Sequence, residues 1–198
     1  MVTIGIVLGS VRTGSLGDSI FNYLQKTYQS SDSIKYNWIR IADYPLDPYQ
    51  HDETPLSYRI KNLKPNEDKW LKALAACDGY IIMTPEYDHA IPGVLKNALD
   101  YVGPEVDRKP VQIVTYSYYS DGGMLAAESF VEILQMLKMM VLPTPVLLWN
   151  ATDNFKADGT LIADATNSDH FKQRLDEAFN EISFYTKLLK DHPFPGQN

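Results

Sequence analysis

Apolar residues in this chain fall into short continuous runs that are separated by longer stretches of mixed polarity. The runs cover residues 2–8, 79–84, 111–116 and 141–149, and a more amphipathic run covers residues 36–41. A run without in-out alternation is typical of a strand that is buried on both faces, as in a parallel sheet. The pattern therefore predicts five strands in one parallel sheet.

Apolar residues recur every three or four positions between these runs, as one face of a helix requires. The stripes comprise Leu16, Ile20, Tyr23, Leu24 and Tyr28; Leu95, Ala98, Leu99 and Val102 after Pro92; Phe130, Leu134 and Leu137; and Phe171, Leu175, Ile182 and Leu189. Strands that alternate with helices predict a doubly wound α/β fold, in which helices cover both faces of a five-stranded parallel sheet of order 2-1-3-4-5. This order places a ligand crevice at the carboxyl ends of strands one and three.

The first strand leads directly into Gly9-Ser10-Val11-Arg12-Thr13-Gly14-Ser15, where a helix begins. Backbone N–H groups, hydroxyls and a guanidinium at such a turn are suited to a phosphate ester. The lysine of a nucleoside-triphosphate loop is absent, because Ser15 and Leu16 follow Gly14, and the dinucleotide pattern Gly-x-Gly-x-x-Gly is absent as well. The loop therefore predicts a ligand with one terminal phosphate, such as flavin mononucleotide (FMN).

Two further segments follow the third and fourth strands and should stand beside this loop. Residues 84–93 enter a helix at Pro92, and their N–H groups together with Tyr87 suit one edge of a flavin ring. Residues 116–123 contain Ser117 and end in Gly122-Gly123, which permits close backbone approach at a helix start. A plain turn is an equally good interpretation of this last segment.

Charge and cysteine content limit the classes of partner. A formal net charge of -7 and a pI of about 5.0 oppose binding to nucleic acid or to anionic lipid. No apolar stretch is long enough to span a bilayer and no basic-then-apolar leader is present, so we expect a soluble, cytoplasmic protein. Cys77 is expected to be a buried, unreactive thiol, and the histidines lack the spacing of metal ligands, so no metal site is predicted.

Residues 42–66 form a long connection that is rich in proline, tyrosine and acidic side chains. A loop of this kind is expected to cover a site or to pack on a partner chain. Residues 192–198 are expected to fray at the end of the chain. The length suits a single domain over residues 1–198.

Taken together, the three loops resemble those of the NADPH-dependent FMN reductase family, flavodoxin-like enzymes that include quinone and azo-dye reductases. The resemblance covers residues 2–141. Gly9, Ser10 and Arg12 match the family pattern Gly-Ser-x-Arg, and the positions that face the FMN phosphate are Ser15, Leu16 and Gly17. The run Thr84-Pro85-Glu86-Tyr87, continued by residues 91–100, is similar to the Pro-x-Tyr-Asn segment of the family and the helix that follows it.

This resemblance implies an enzyme in which NADPH or NADH reduces FMN at its N5 atom and the flavin then reduces a small acceptor, such as a quinone, an azo compound or free flavin. It also implies a homodimer with the sites at the interface, for which residues 42–66 are a candidate surface. The cofactor supplies the chemistry, so no side chain is predicted to be catalytic. The predicted FMN-binding residues are Gly9, Ser10, Arg12, Ser15, Leu16, Gly17, Pro85, Glu86, Tyr87, Asp88 and Ser117.

The chain departs from the family pattern at three positions. Asp88 replaces the usual asparagine, and an anion that points at the ring would oppose reduction of the flavin. Tyr119 and Ser120 replace the first two glycines of the third loop, and a tyrosine there either lies over the ring or turns to solvent. Two other functions stay open: an FMN-binding electron carrier without nicotinamide turnover, and a module that binds another phosphorylated ligand.

Overall fold

The computed structural model describes residues 1–119 and 121–195, and Ser120 and residues 196–198 lie outside the described part of the chain. The described strands are β1 (Val2–Leu8), β2 (Ile34–Arg40), β3 (Gly79–Pro85), β4 (Pro110–Tyr116), β5 (Met140–Val141) and β6 (Val146–Leu148). The described α-helices are α1 (Leu16–Thr27), α2 (Pro65–Ala75), α3 (Gly93–Asp100), α4 (Met124–Met136) and α5 (Ser168–Asp191). Short 3-10 turns cover Ile41–Asp43, Pro104–Val106 and Ala151–Asp153.

The strands form one parallel sheet in the order β2-β1-β3-β4-β5, which confirms the predicted topology. β1 lies between two neighbours, so that Ile6 is opposite Trp38 of β2 and Ile81 of β3. Farther along, Ile82 of β3 is opposite Ile113 of β4. This register brings the carboxyl ends of β1, β3 and β4 to one edge of the sheet.

Helices cover both faces of the sheet, as the continuous apolar runs predict. Tyr80 and Ile82 of β3 belong to one core, which they share with α2, α3 and α4. The residues between and beyond them, Ile81 and Met83, belong to the other core, which is formed with α1 and α5. Alternate residues of a strand point to opposite faces, so each strand contributes to both cores.

The predicted fifth strand at residues 141–149 is interrupted in the structure. Its place is taken by β5 and β6, and both pair with β4 in the parallel sense. Pro143 and Pro145 lie between the two pieces. Proline has no N–H group to donate to a neighbouring strand, so a continuous ladder is not possible here.

Helix α2 is an element that the hydrophobic pattern did not reveal, because its buried residues Trp70, Leu71 and Leu74 form only a short stripe among charged ones. It begins at Pro65, which is suited to the first turn of a helix. The long connection before it packs on α2 and α3 through apolar side chains that include Tyr44. It does not line the cavity described below, so the expectation that it covers the site is not supported.

The thiol of Cys77 is buried just before β3, as predicted. It lies against Gly5 of β1, where a Cβ atom would come within 3.0 Å of the sulfur. Burial raises the pKa of this thiol, so the unreactive thiol form is favoured.

Candidate functional site

A cavity of 370 Å³ lies at the edge of the sheet where β1, β3 and β4 end. Its walls come from the three loops that the sequence singled out. The predicted binding residues that line it are Ser10, Arg12, Ser15, Leu16, Gly17, Pro85, Glu86, Tyr87, Asp88 and Ser117. The residues that the sequence assigns to one binding site therefore lie around one cavity. The binding role of each residue stays a prediction.

The loop after β1 is held in shape by its own hydroxyls. The Ser10 hydroxyl accepts a hydrogen bond from the Arg12 N–H at 3.3 Å. Ser15 is the N-cap of α1: its Oγ accepts from the Asp18 N–H at 3.3 Å and donates to the Arg12 carbonyl at 3.0 Å. The next residues, Leu16 and Gly17, begin the helix, and N–H groups in a first helical turn have no carbonyl partner within the helix.

Two glycines of this region are required by close packing. Gly9 does not line the cavity; its N–H donates to the Met83 carbonyl at 2.8 Å, and a Cβ atom would come within 2.6 Å of Leu95. Gly17 faces the Tyr116 hydroxyl, which would collide with any Cβ atom at position 17. The absence of a side chain at Gly9 therefore lets the end of β1 lie close to β3 and α3, and its absence at Gly17 lets α1 lie close to the end of β4.

The wall after β3 is a two-residue hairpin turn. The Tyr87 and Ala90 backbones exchange hydrogen bonds of 2.9 and 3.0 Å, and between them Asp88 and His89 have φ of 49° and 63°. Positive φ at both central positions is the geometry of a type I′ turn, which asparagine, aspartate and glycine tolerate best. Asp88 thus replaces the family's asparagine with a residue that the same backbone accepts.

Arg12 and Tyr87 connect the first two walls. The Arg12 side chain is hydrogen-bonded to Tyr87, and this bond raises the pKa of the guanidinium, as do the nearby hydroxyls of Tyr87, Tyr118 and Tyr116. Both residues are exposed, and the Tyr87 side chain is 38 % accessible. The cation therefore stands at the cavity in contact with solvent, where it can exchange this partner for an anion.

The tyrosines after β4 all reach the cavity. The in-out alternation of a strand predicts that only some of Tyr116, Tyr118 and Tyr119 can do so, yet all three line it. The alternation ends with β4 at Tyr116, and the chain then bends, so it no longer fixes the direction of Tyr118 and Tyr119. Tyr119 is 78 % exposed, which favours the alternative that it turns to solvent, and Ser120 lies outside the described residues.

Tyr116 is a buried polar group at the base of the cavity. Burial is the main cause that raises the pKa of its hydroxyl, and a hydrogen bond with the Ser10 side chain acts in the opposite direction. The hydroxyl thus stays protonated and joins the end of β4 to the loop after β1. The lining residues that are missing from the predicted binding set are His89, Tyr116, Tyr118, Tyr119 and Asp121. For Tyr116, its position at the end of a strand next to β3 was the available signal.

Two carboxyl groups, Glu86 and Asp121, form the wall next to α4. Glu86 Oε2 accepts a hydrogen bond from the Ala126 N–H at 2.9 Å. Asp121 Oδ1 accepts from the Gly123 N–H at 3.1 Å and from the Ser117 hydroxyl at 2.9 Å. The bonds from Gly123 and Ser117 lower the pKa of Asp121.

The residues of the cavity fit a phosphorylated planar ligand. Arg12, Ser10 and the first turn of α1 provide a cation, a hydroxyl and N–H donors on one side. Tyr87 and Tyr118 provide aromatic surface on the same cavity. Residues 1–119 and 121–195 contain no group of three or more histidine, cysteine, aspartate or glutamate residues that could hold a metal ion. No helix in this part of the chain is long and apolar enough to cross a membrane.

A doubly wound parallel sheet of this order, with a cavity between the loops that follow β1, β3 and β4, is typical of the flavodoxin-like class of mononucleotide-binding proteins. The model of one family, NADPH-dependent FMN reductase, matches residues 2–153. The chain belongs to this family, and it is therefore an NAD(P)H-dependent oxidoreductase with FMN as its cofactor. The sequence predicted this class from its loops.

Individual proteins agree with this assignment. The chain is 36% identical to the NAD(P)H-dependent FMN reductase ntnL of Nectria sp over 170 residues, which cover 81% of this chain and 84% of that protein. It is 31% identical to a quinone reductase of Escherichia coli over 192 residues, which cover 92% of this chain and 95% of that protein. The structure of FerB, a flavoenzyme NAD(P)H:(acceptor) oxidoreductase from Paracoccus denitrificans, has the same fold, with a TM-score of 0.72 at 21% identity. The match covers 92% of this chain and 97% of FerB.

Proposed function

We propose that the protein holds the phosphate of FMN at the loop after β1 and reduces a small planar acceptor, above all a quinone, at the expense of NAD(P)H. One observation carries this proposal. The guanidinium of Arg12 and the N-terminus of α1 open onto the same cavity as the turn at residues 87–90 and the tyrosines after β4. A phosphate site and an aromatic site are thus within the reach of one ligand.

Each wall would have a different task. Ser10 and Arg12 would bind the phosphate, together with the N–H groups of Leu16 and Gly17, whereas Ser15 keeps the loop closed around them. Residues 85–88 and Ser117 would border the ring and orient it. FMN, when bound, accepts two electrons from the reduced nicotinamide and delivers them to the acceptor.

The exposed aromatic rim favours a planar acceptor. Tyr87, Tyr118 and Tyr119 line the cavity with 38 %, 56 % and 78 % of their surface accessible. Aromatic side chains bind flat rings by stacking and by edge contacts. A quinone suits this rim, and the quinone reductase among the relatives is consistent with that choice.

The phosphate assignment is tested by titration of the purified protein with FMN. We expect Arg12→Ala to weaken FMN binding by about tenfold or more, because a charge-assisted contact with the phosphate is lost. Arg59→Ala is the matched control, since Arg59 is an exposed arginine that lines a different cavity. Circular dichroism would show that both variants keep the fold.

Equal affinity of the wild-type protein and the Arg12 variant would overturn the phosphate assignment. The reaction itself is tested by following NADPH and NADH absorbance with the FMN-loaded protein and menadione. Rapid oxidation that requires the quinone would support the proposed acceptor. Bound FMN that is reduced by NAD(P)H but not reoxidised by the quinone would exclude it.

The family resemblance implies a homodimer, and we propose that this dimer forms through the outer surface of α3. Two grooves flank this helix: one of 600 Å³ includes Val94, and one of 640 Å³ includes Met136. These two side chains are 42 % and 68 % exposed. Exposed apolar side chains beside a groove are typical of a surface that another chain covers.

The dimer is tested by light scattering during size-exclusion chromatography. We expect the wild-type protein to elute at twice the mass of one chain, and Val94→Arg to shift the protein toward the monomer. Lys156→Ala, at an exposed position outside both grooves and outside residues 42–66, should leave the mass unchanged. A wild-type protein with the mass of one chain at micromolar concentration would contradict the proposal.

We also propose that residues 1–198 fold as one domain and act in the cytoplasm. The C-terminal helix α5 packs on β1, β3, β4 and β6, so it completes the same core. The need for NAD(P)H is consistent with a cytoplasmic location. A single cooperative unfolding transition and recovery of the protein in the cytosolic fraction are the expected results.

A further inference from the structure

The charged groups of the cavity are distributed unevenly. Glu86, Asp88 and Asp121 contribute three carboxyl groups to its lining. Arg12 is the single lysine or arginine among the described lining residues, and it belongs to the loop that would hold the phosphate. The cavity thus has a cation at one end and an excess of acidic groups along the walls after β3 and β4.

Two of these carboxyl groups are fixed in place by the backbone. The Ala126 N–H donates to Glu86 at 2.9 Å, and the Gly123 N–H donates to Asp121 at 3.1 Å. Both donors lie at the N-terminal end of α4, where the helix dipole favours negative charge. The same hydrogen bonds lower the pKa of Asp121, so this group is a carboxylate at neutral pH. Neither side chain can turn away from an anion without giving up these bonds.

The third carboxyl group belongs to the turn at residues 87–90. The backbone of Asp88 is left-handed, with φ of 49°, and this conformation is equally suited to a neutral asparagine. The turn geometry therefore does not require a negative charge at this position. The negative charge of Asp88 can therefore be removed without changing the fold of the turn.

A phosphate bound at Arg12 would neutralise the cation of the cavity. The remaining space would then be bordered by carboxyl groups on two walls. Charges about 8 Å apart in a partly hydrated site still interact by enough to change an affinity several-fold. An acceptor that carries a sulfonate or a carboxylate would be repelled here, and an uncharged one of the same shape would not.

We propose, on the basis of the proposed function, that the acidic wall formed by Glu86, Asp88 and Asp121 makes this cavity selective for uncharged or cationic acceptors over anionic acceptors of the same ring size. Asp121 and Asp88 are the specificity-determining residues, because each can lose its charge with little change in shape. Glu86 adds a carboxyl group that is held in place by its own bond to the Ala126 N–H of α4.

The test compares menadione with 1,4-naphthoquinone-2-sulfonate, which differ mainly in one negative charge. Binding of each quinone to the oxidised, FMN-loaded protein is measured by equilibrium dialysis without nicotinamide, and reduction is measured separately. The variants are Asp121→Asn, Asp88→Asn and the double variant. Asp52→Asn is the matched control, because it removes the same charge from an exposed position outside the cavity.

We expect the wild-type protein to bind menadione more tightly than the sulfonate. In each cavity variant the affinity for the sulfonate relative to that for menadione should rise by about three- to tenfold. The preference should also decrease at high salt, because ions screen the repulsion.

Equal changes for the two quinones, or the same gain with Asp52→Asn, would overturn the inference and leave the proposed function intact. A wild-type protein that neither binds nor reduces menadione would instead contradict the proposed acceptor. A loss of FMN affinity in the Asp121 variant is measured by the same FMN titration, so a damaged site is recognised before the quinones are compared.

Discussion

The walls of the cavity and the long connection before α2 are both polar and rich in tyrosine, but they use their polar groups differently. Where the long connection meets α2, Glu67 of this helix is only 2 % exposed and accepts from the Lys64 N–H at 2.8 Å, and His51 Nε2 of the connection lies 3.0 Å from Glu67 Oε2. The Tyr101 hydroxyl donates to the Asp47 carbonyl at 2.9 Å. These polar groups are satisfied within the protein.

The cavity walls, in contrast, keep polar groups at the solvent. Arg12, Tyr87 and Asp88 are all exposed, although each belongs to a tightly defined turn. A hydrogen bond between buried groups stabilises the fold, whereas a donor or charge held at an open cavity is available to a ligand. The comparison suggests that a substitution in the connection should affect stability, and one in the cavity should affect binding.

The largest expected effect is that of Glu67→Ala. Loss of this buried carboxyl group leaves the Lys64 N–H and His51 without their acceptor, so we expect the free energy of unfolding to fall by about 3 kcal/mol. Urea unfolding of the FMN-free protein measures it. The control is Asp68→Ala on the same helix, whose exposed pair with Lys72 should contribute less than about 1 kcal/mol.

If the comparison holds, the Glu67 variant that remains folded should bind FMN within about twofold of the wild-type protein. A selective loss of FMN affinity with unchanged stability would break the comparison, because it would place the connection in the binding site. The pKa of Tyr101 offers an independent readout. Burial and the charge of Glu67 raise it to about 12, and the variant should lower it.

A second prediction concerns two glycines in first helical turns. Gly17→Ala places a methyl group against the Tyr116 hydroxyl, so we expect a loss of about 2 kcal/mol and weaker FMN binding. Gly93→Ala meets no atom within 4 Å and should change stability by less than about 1 kcal/mol. Thermal unfolding and FMN titration of the pair measure both effects. Similar results for the two variants would contradict the close approach of α1 to β4.

Asp88 gives a smaller effect on stability. Its φ of 49° is unfavourable for alanine, so we expect Asp88→Ala to cost about 1 kcal/mol. Asp88→Gly should be tolerated, because glycine adopts this conformation without strain. Urea unfolding midpoints of the two variants measure the difference. A more stable alanine variant would show that the turn has another conformation.

The smallest expected effect is the pH dependence due to Asp121. Its pKa is lowered by the Gly123 N–H and the Ser117 hydroxyl, so it stabilises the fold above the unfolded pKa of about 3.9. This stabilisation is lost as the pH falls through the lower folded pKa. Urea midpoints measured from about pH 6 to 3 should therefore fall less for Asp121→Asn than for the wild-type protein. Parallel curves would mean that Asp121 is not stabilised in the folded state.

Much of this architecture could be predicted because its signals are local. The runs that became β1, β3 and β4 are apolar on both faces, and the loop after β1 combines glycine, hydroxyls and arginine in one turn. The sheet order then fixed which loops meet. The sequence therefore predicts that Ser10, Arg12 and Tyr87 lie at one site, and all three line the same cavity.

The remainder depends on contacts that are distant in the sequence. Trp70 has a short apolar stripe around it, and its indole N–H reaches the Ala98 carbonyl on another helix at 2.9 Å, so α2 has little local signal. Asp121 lines the cavity because the N-terminus of α4 lies beside Glu86. No pattern of residues in the sequence indicates this contact. Pro143 and Pro145 indicate the interruption between β5 and β6, but they lie within a continuous apolar run, which by itself predicts a single strand.

The order of the strands also sets a schedule for biosynthesis. β1 is translated before its partner β3, from which two helices separate it, and Ile4 and Ile6 of β1 belong to the same core as Phe171 and Phe179 of α5. A growing chain on the ribosome therefore exposes part of this apolar sheet face until α5 emerges. The cavity is likewise complete only when the walls after β3 and β4 have been made.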